Sequence, residues 1–160
     1  MIEGAALSFG DDVNTDLLHP SYFFSLNQNT VREGFLGAVE QTELVDKDMA
    51  RIIVAGRNFG CGSSRETTMT ALKLAGVQAV VAESFGRIFF RNALSLGLPA
   101  FTVDSVDGFA EAGDTLRMLD GELFNVRTGH RLALHTLDPM WAEVLACGGM
   151  VGFLGSRGLL

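Results

Sequence analysis

The sequence predicts an α/β fold: parallel core strands with helices, followed by small antiparallel strands. Three observations predict it. Short apolar runs of β-branched character recur, as in strands buried on both faces. Each is followed by a helix-patterned stretch that ends at a glycine. The last third then changes to short strands separated by turn signals.

Residues 51–56 (RIIVAG) and 79–83 (AVVAE) are the two clearest core strands. Between them, residues 64–74 carry Met69, Leu72 and Leu74 at helical spacing and stop at Gly76. A second helix is predicted over residues 85–96, stopped by Gly97, and a third strand over residues 99–103. A strand, helix, strand, helix, strand order favours right-handed crossovers and a parallel sheet. Residues 115–119, 123–126 and 131–134 then read as antiparallel strands, with Asp120-Gly121 and Thr128-Gly129-His130 as turns. Asp138-Pro139 opens a last helix over residues 140–146, with Asp138 as N-cap and Gly148-Gly149 as its end. One domain is expected over residues 1–160, with a core over about residues 5–152 and a mobile tail.

Composition narrows the function. Apolar residues make up 48% and charged residues 19% of the chain, which suits a globular domain and not a disordered one. A formal charge of -7 without a Lys/Arg cluster gives nucleic acid and anionic membranes nothing to hold. No stretch approaches the roughly twenty apolar residues of a membrane span, and the start carries no basic leader, so the cytoplasm is the expected compartment. Cys61 and Cys147 are too few for a disulfide framework, and they cannot ligate an iron–sulfur cluster alone. Cys147, between Ala146 and Gly148, reads as a packing residue.

The chemistry concentrates in Gly56-Arg57-Asn58-Phe59-Gly60-Cys61-Gly62-Ser63-Ser64-Arg65-Glu66. Glycines let the backbone approach a ligand, and Ser63-Ser64 is read as opening the helix. Free N–H groups at the helix start, its dipole and the Arg65 guanidinium then suit a carboxylate or a phosphate. A helix cap needs only one serine, and two are present. The stretch is not a phosphate-binding P-loop, which needs a Lys before its Ser/Thr, and it lacks the full dinucleotide glycine pattern. A serine hydrolase would need a base near Ser63, but nothing ties His19, His130 or His135 to it; surface or structural roles are expected for all three. A second cluster, Gly10-Asp11-Asp12-Val13-Asn14-Thr15-Asp16, misses the spacing of a calcium loop and reads on its own as a turn held by Asx-type hydrogen bonds.

Three segments taken together, Asp12-Val13-Asn14-Thr15-Asp16-Leu17-Leu18-His19-Pro20, Asn58 to Glu66, and Ala82-Glu83-Ser84-Phe85-Gly86-Arg87-Ile88-Phe89-Phe90-Arg91-Asn92-Ala93, resemble the aconitase swivel domain family in kind, order and separation. The resemblance covers about residues 5–152 and looks like the separate small-subunit form found in isopropylmalate dehydratases and homoaconitases. It implies a swivelling β/β/α domain and a hydro-lyase that removes water from a 2-hydroxy di- or tricarboxylate and returns it in the opposite sense. By resemblance Ser63 matches the base that takes the carbon-bound proton, Arg65 the carboxylate clamp and Ser64 a neighbour bonding to substrate. Thr15 and Asp16 fall in the family's other active-site motif.

The resemblance further implies a 4Fe-4S cluster on a partner large subunit, with no metal on this chain, and activity only in the assembled enzyme. The loop Ser21-Tyr22-Phe23-Phe24-Ser25 would face the substrate's variable group, with Phe24 where homoaconitase-like members carry an arginine. An apolar wall disfavours an extra carboxylate, so 2-isopropylmalate is expected first, then dimethylmalate, methylmalate or another alkylmalate, then homoaconitate. Many isopropylmalate enzymes continue His-Ala-Pro after the Ser-Ser-Arg-Glu run, where this chain has Thr67-Thr68-Met69. A non-catalytic carboxylate-binding module is the reading from another class.

Overall fold

The computed structural model describes residues 1–37, 50–63 and 65–160. A seven-stranded mixed sheet runs through it in the order β4-β3-β2-β1-β5-β6-β7. The parallel half comprises β1 (Ile2–Phe9), β2 (Arg51–Ala55), β3 (Val77–Ala82) and β4 (Ala100–Thr102). The antiparallel half comprises β5 (Thr115–Leu119), β6 (Glu122–Asn125) and β7 (Arg131–Ala133), joined to the rest through β1 and β5.

Both faces of β2 and β3 are buried because these strands are apolar at nearly every successive position. Ile53, Ala55, Val80 and Ala82 face one core with Met69, Leu72, Phe89 and Leu94 from the helices α3 (Glu66–Leu74) and α4 (Arg87–Ser95). Ile52, Val54, Ala79 and Val81 face the other, with Val103, Phe109, Leu116 and Leu123. The antiparallel strands instead alternate, β5 burying Leu116 and Met118 between exposed neighbours, as a sheet with one wet face does.

The predicted α/β order and the antiparallel addition stand, with ends shifted by one or two residues. Four elements were not foreseen. The first strand, β1, lies in the middle of the sheet, and α1 (Thr15–Leu18) and α2 (Gln28–Glu33) flank a 3₁₀ turn at Ser21–Phe23. Beyond α5 (Pro139–Ala146), where a mobile tail is predicted, the chain forms α6 (Met150–Ser156), which packs near α4 and α5. The N-cap reading at Asp138 holds: its carboxylate accepts from the N–H of Met140.

The open end of the β5–β6 hairpin is fixed by one carboxylate. Asp114 accepts from Nε and Nη2 of Arg127, from the N–H of Glu111 and from Asn125 Nδ2. These donors, Arg127 foremost, hold its carboxyl well below the usual carboxylate range. A depressed folded pKa means that the unfolded chain binds the extra proton first, so the contribution is complete above roughly pH 4 and is lost as pH falls further. Asp114→Asn is expected to melt lower than the parent at pH 7, with the gap closing toward pH 3. Melting curves across that range check it, and a gap independent of pH would remove Asp114 as its source.

Candidate active site

Three loops leave the carboxyl ends of β1, β2 and β3, which is where open α/β sheets gather ligands. They are the three segments that the sequence singles out, and hydrogen bonds stitch them together. Gly60 N–H donates to Val13 O at 2.8 Å, Thr15 N–H to Cys61 O at 3.0 Å, and Asn58 Nδ2 to Asp12 Oδ1 at 2.8 Å. On the other side Asn58 N–H donates to Ser84 Oγ at 2.8 Å, and Gly86 N–H to Phe59 O at 2.9 Å. The acidic turn therefore ties loops together: Asp11 Oδ1 accepts the Arg57 N–H at 2.7 Å, and Asp12 holds Asn58.

The serine-bearing loop reaches α3 differently from the expectation. Arg65, not a serine, occupies the N-cap position, in extended backbone and without a side-chain cap bond, and the helix begins at Glu66. Ser63 is thus not the helix cap. Its hydroxyl is exposed and has no hydrogen-bond partner among the described residues. Ser64, the second serine of the motif, lies outside the described residues. The uncapped first turn of α3 keeps the positive end of its dipole directed at this loop.

Thr15 is buried, and its hydroxyl donates to the Ser63 carbonyl at 3.2 Å, so it holds the loop through the backbone. Asp16 is exposed beside it, with its N–H capped by Asn14 Oδ1 at 2.8 Å. Asn14 was not singled out as a site residue, yet it caps α1 and lies under Gly62, where a Cβ would come within 3.0 Å of its amide. The Asn-Thr-Asp order before an apolar pair was the available signal, since Asn is a preferred N-cap.

Phe24 closes the site from the loop after α1. Its ring is half-buried, and the Arg65 guanidinium carbon lies 4.5 Å from the ring centroid. Behind it His19 is 1% exposed, 5.2 Å from the Phe24 centroid, and neither ring nitrogen makes a hydrogen bond of normal geometry. Burial pushes this imidazole below its ordinary pKa, against a weaker opposing pull from the backbone of Val31. His135 bonds to Thr102 and Asp104, far along the sheet from Ser63 in chain order, and supplies no base to it. Among the described residues no group of three His, Cys, Asp or Glu side chains is placed to hold a metal ion. No helix among them is long and apolar enough to cross a membrane.

Residues 17–105 match the family model described as the aconitase C-terminal domain. The 3-isopropylmalate dehydratase small subunit of Pyrobaculum neutrophilum is 40% identical over 159 residues, covering 98% of each chain. That of Moorella thermoacetica is 36% identical over 160 residues, covering 98% of this chain and 96% of its own. A crystal structure of 3-isopropylmalate dehydratase from Methanocaldococcus jannaschii superposes with a TM-score of 0.89 at 34% identity, covering 99% of this chain and 95% of the other.

Proposed function

The chain belongs to the aconitase C-terminal domain family, in the form of the 3-isopropylmalate dehydratase small subunits, and from that premise we propose that it is the small subunit of a two-subunit hydro-lyase isomerising 2-isopropylmalate to 3-isopropylmalate in leucine biosynthesis. The observation that carries the reading is the joining of all three motif loops beside the uncapped start of α3, with the Ser63 hydroxyl uncommitted and Arg65 next to it. That arrangement suits a dicarboxylate and a base within one loop cluster. We place the working enzyme in the cytoplasm, as a complex with a large subunit.

In this reading Ser63 takes the carbon-bound proton, and the electron pair left behind forms the double bond as hydroxide leaves the neighbouring carbon. A serine hydroxyl is a weak acid, so its base form needs positive potential, which the first turn of α3 and Arg65 supply. Arg65 and Ser64 hold substrate carboxylate, Thr15 fixes the Ser63 backbone, and Asp16 borders the same loop. Phe24 gives the substrate's alkyl group an apolar neighbour, which disfavours the extra carboxylate of homoaconitate. Water then returns to the double bond in the opposite sense.

With two cysteines the chain cannot by itself supply the thiolates that hold a cluster. We assign a 4Fe-4S cluster to the large subunit, where it would supply Lewis-acid chemistry to the leaving hydroxyl. The test is anaerobic reconstitution with the cognate large subunit, following absorbance of the unsaturated intermediate. Fastest turnover is expected with 2-isopropylmalate. Preference for dimethylmalate, methylmalate or homocitrate would keep the reaction and replace the substrate, and no turnover of any would favour a carboxylate-binding module.

A further inference from the structure

Arg65 stands in the site without an ion pair among the described residues, and its one recorded side-chain contact is the face of Phe24. A guanidinium on a flexible stem clamps a carboxylate well only if something holds it beforehand, because ordering it on binding costs side-chain entropy. An aromatic face within about 6 Å attracts a guanidinium and can hold it while leaving its N–H groups free for a carboxylate. Phe24 is in turn backed by His19. That ring is buried and makes no hydrogen bond of normal geometry among the described residues, and burial biases its imidazole toward the neutral form against a weaker pull from the Val31 backbone. A Cβ on Gly34 would lie 2.6 Å from His19 Nε2 and Cδ2, so that edge of the imidazole is packed against backbone. His19 is thus held in place beside the Phe24 ring, 5.2 Å from its centroid.

We propose that Phe24 and His19 are positioning residues for the carboxylate clamp, a tilted pair of rings whose outer face seats the Arg65 guanidinium before substrate arrives. This rests on the reading of Arg65 as the group that binds substrate carboxylate, and it gives Phe24 a task besides walling the alkyl group. The two tasks separate cleanly. A wall acts on the variable group, so replacing it alters different alkylmalates unequally. A seat for Arg65 acts on the carboxylate that all of them share.

Phe24→Leu keeps the site apolar and removes the aromatic face. In the reconstituted enzyme its KM is expected to rise about threefold to fivefold for 2-isopropylmalate and to rise for a smaller alkylmalate too, because both share the carboxylate that Arg65 meets, with the loss carried by KM more than by kcat. Phe24→Trp is expected to restore it. An unchanged KM, or a rise confined to one alkylmalate, would overturn the proposal. The isolated chain gives a reading that needs neither partner nor turnover. The ring current of Phe24 is expected to shift the Arg65 side-chain protons upfield in the NMR spectrum; the shift should vanish in Phe24→Leu, persist in Phe24→Trp and shrink in His19→Ala. Random-coil positions for those protons in the unmodified chain would sink the proposal even if the enzyme turns over. Upfield positions with no turnover of any substrate would leave the seat standing and defeat the hydro-lyase reading instead.

Discussion

Ser63→Ala is expected to lower turnover of the reconstituted enzyme by about two to four orders of magnitude, the range that a positioned proton-transfer group contributes. The substitution removes one oxygen and leaves the loop standing. Thr15 holds this segment through the Ser63 carbonyl, which alanine retains, and the Ser63 hydroxyl has no partner among the described residues to lose. Stability and assembly with the large subunit should therefore be unchanged, and KM should move little, because the lost interaction is made chiefly as the proton is transferred. Rates on 2-isopropylmalate, with sedimentation of the complex as control, measure both. Turnover within tenfold of the parent would return the base to some other group and leave Ser63 as a loop residue. Treatment with a fluorophosphonate separates a further case: a hydrolytic serine is labelled, whereas a serine activated only by local positive potential is not.

The parts of the fold that were legible are those where composition and position agree. β2 and β3 are buried along nearly their whole length, so their sequences are continuous runs of Ile, Val and Ala that resemble nothing else in the chain. β1 was missed for a physical reason. It lies between β2 and β5, and a side chain at Gly4 would meet the Ala50 carbonyl at 2.9 Å, so the strand carries Gly4, Ala5 and Ala6 where β-branched residues would have announced it. The start of α3 was misjudged because two serines look like caps, while the chain stays extended through Arg65.

The candidate site divides in the same way. The three motif segments could be picked out from their residue order, and the structure joins them; the spacing of glycine, serine and arginine is what raises the expectation of an anion cradle there. Two contacts could not be read: the Phe24 ring under Arg65, and Thr15 on the Ser63 carbonyl. Both join residues some forty or more positions apart, through loops whose directions depend on the packing of α1 and α3. Local pattern carries no information about such pairs until the sheet has set the loop ends.

Gly60→Ala is expected to be the most damaging single methyl in the site loop, at about 3–4 kcal/mol. Two costs combine. Gly60 has φ +74°, where an L side chain strains the backbone by roughly 1–2 kcal/mol. Its Cβ would also lie 2.2 Å from Phe89 Cγ and 2.7 Å from Phe89 Cβ, the latter bonded directly to the backbone of α4 so that it cannot swing away, and overpacking of this kind costs about 1–3 kcal/mol. Phe89 has nowhere to retreat, being fully buried with its ring edge-on to Phe59 at 5.2 Å. Gly62→Ala makes the control. Its φ of +91° carries a similar strain, but the nearest atoms its Cβ would meet are those of the terminal amide of Asn14, at 3.0 Å, which need give only a few tenths of an ångström without leaving its cap on α1, so a loss of about 1–2 kcal/mol is expected. Urea denaturation of both variants checks the order. A Gly60→Ala loss no greater than that of Gly62→Ala would show that the contact with Phe89 is not what fixes the loop. If the order holds, activity should follow it, because the N–H of Gly60 joins this loop to Val13, and a shift there displaces Ser63 without altering any residue that meets the substrate.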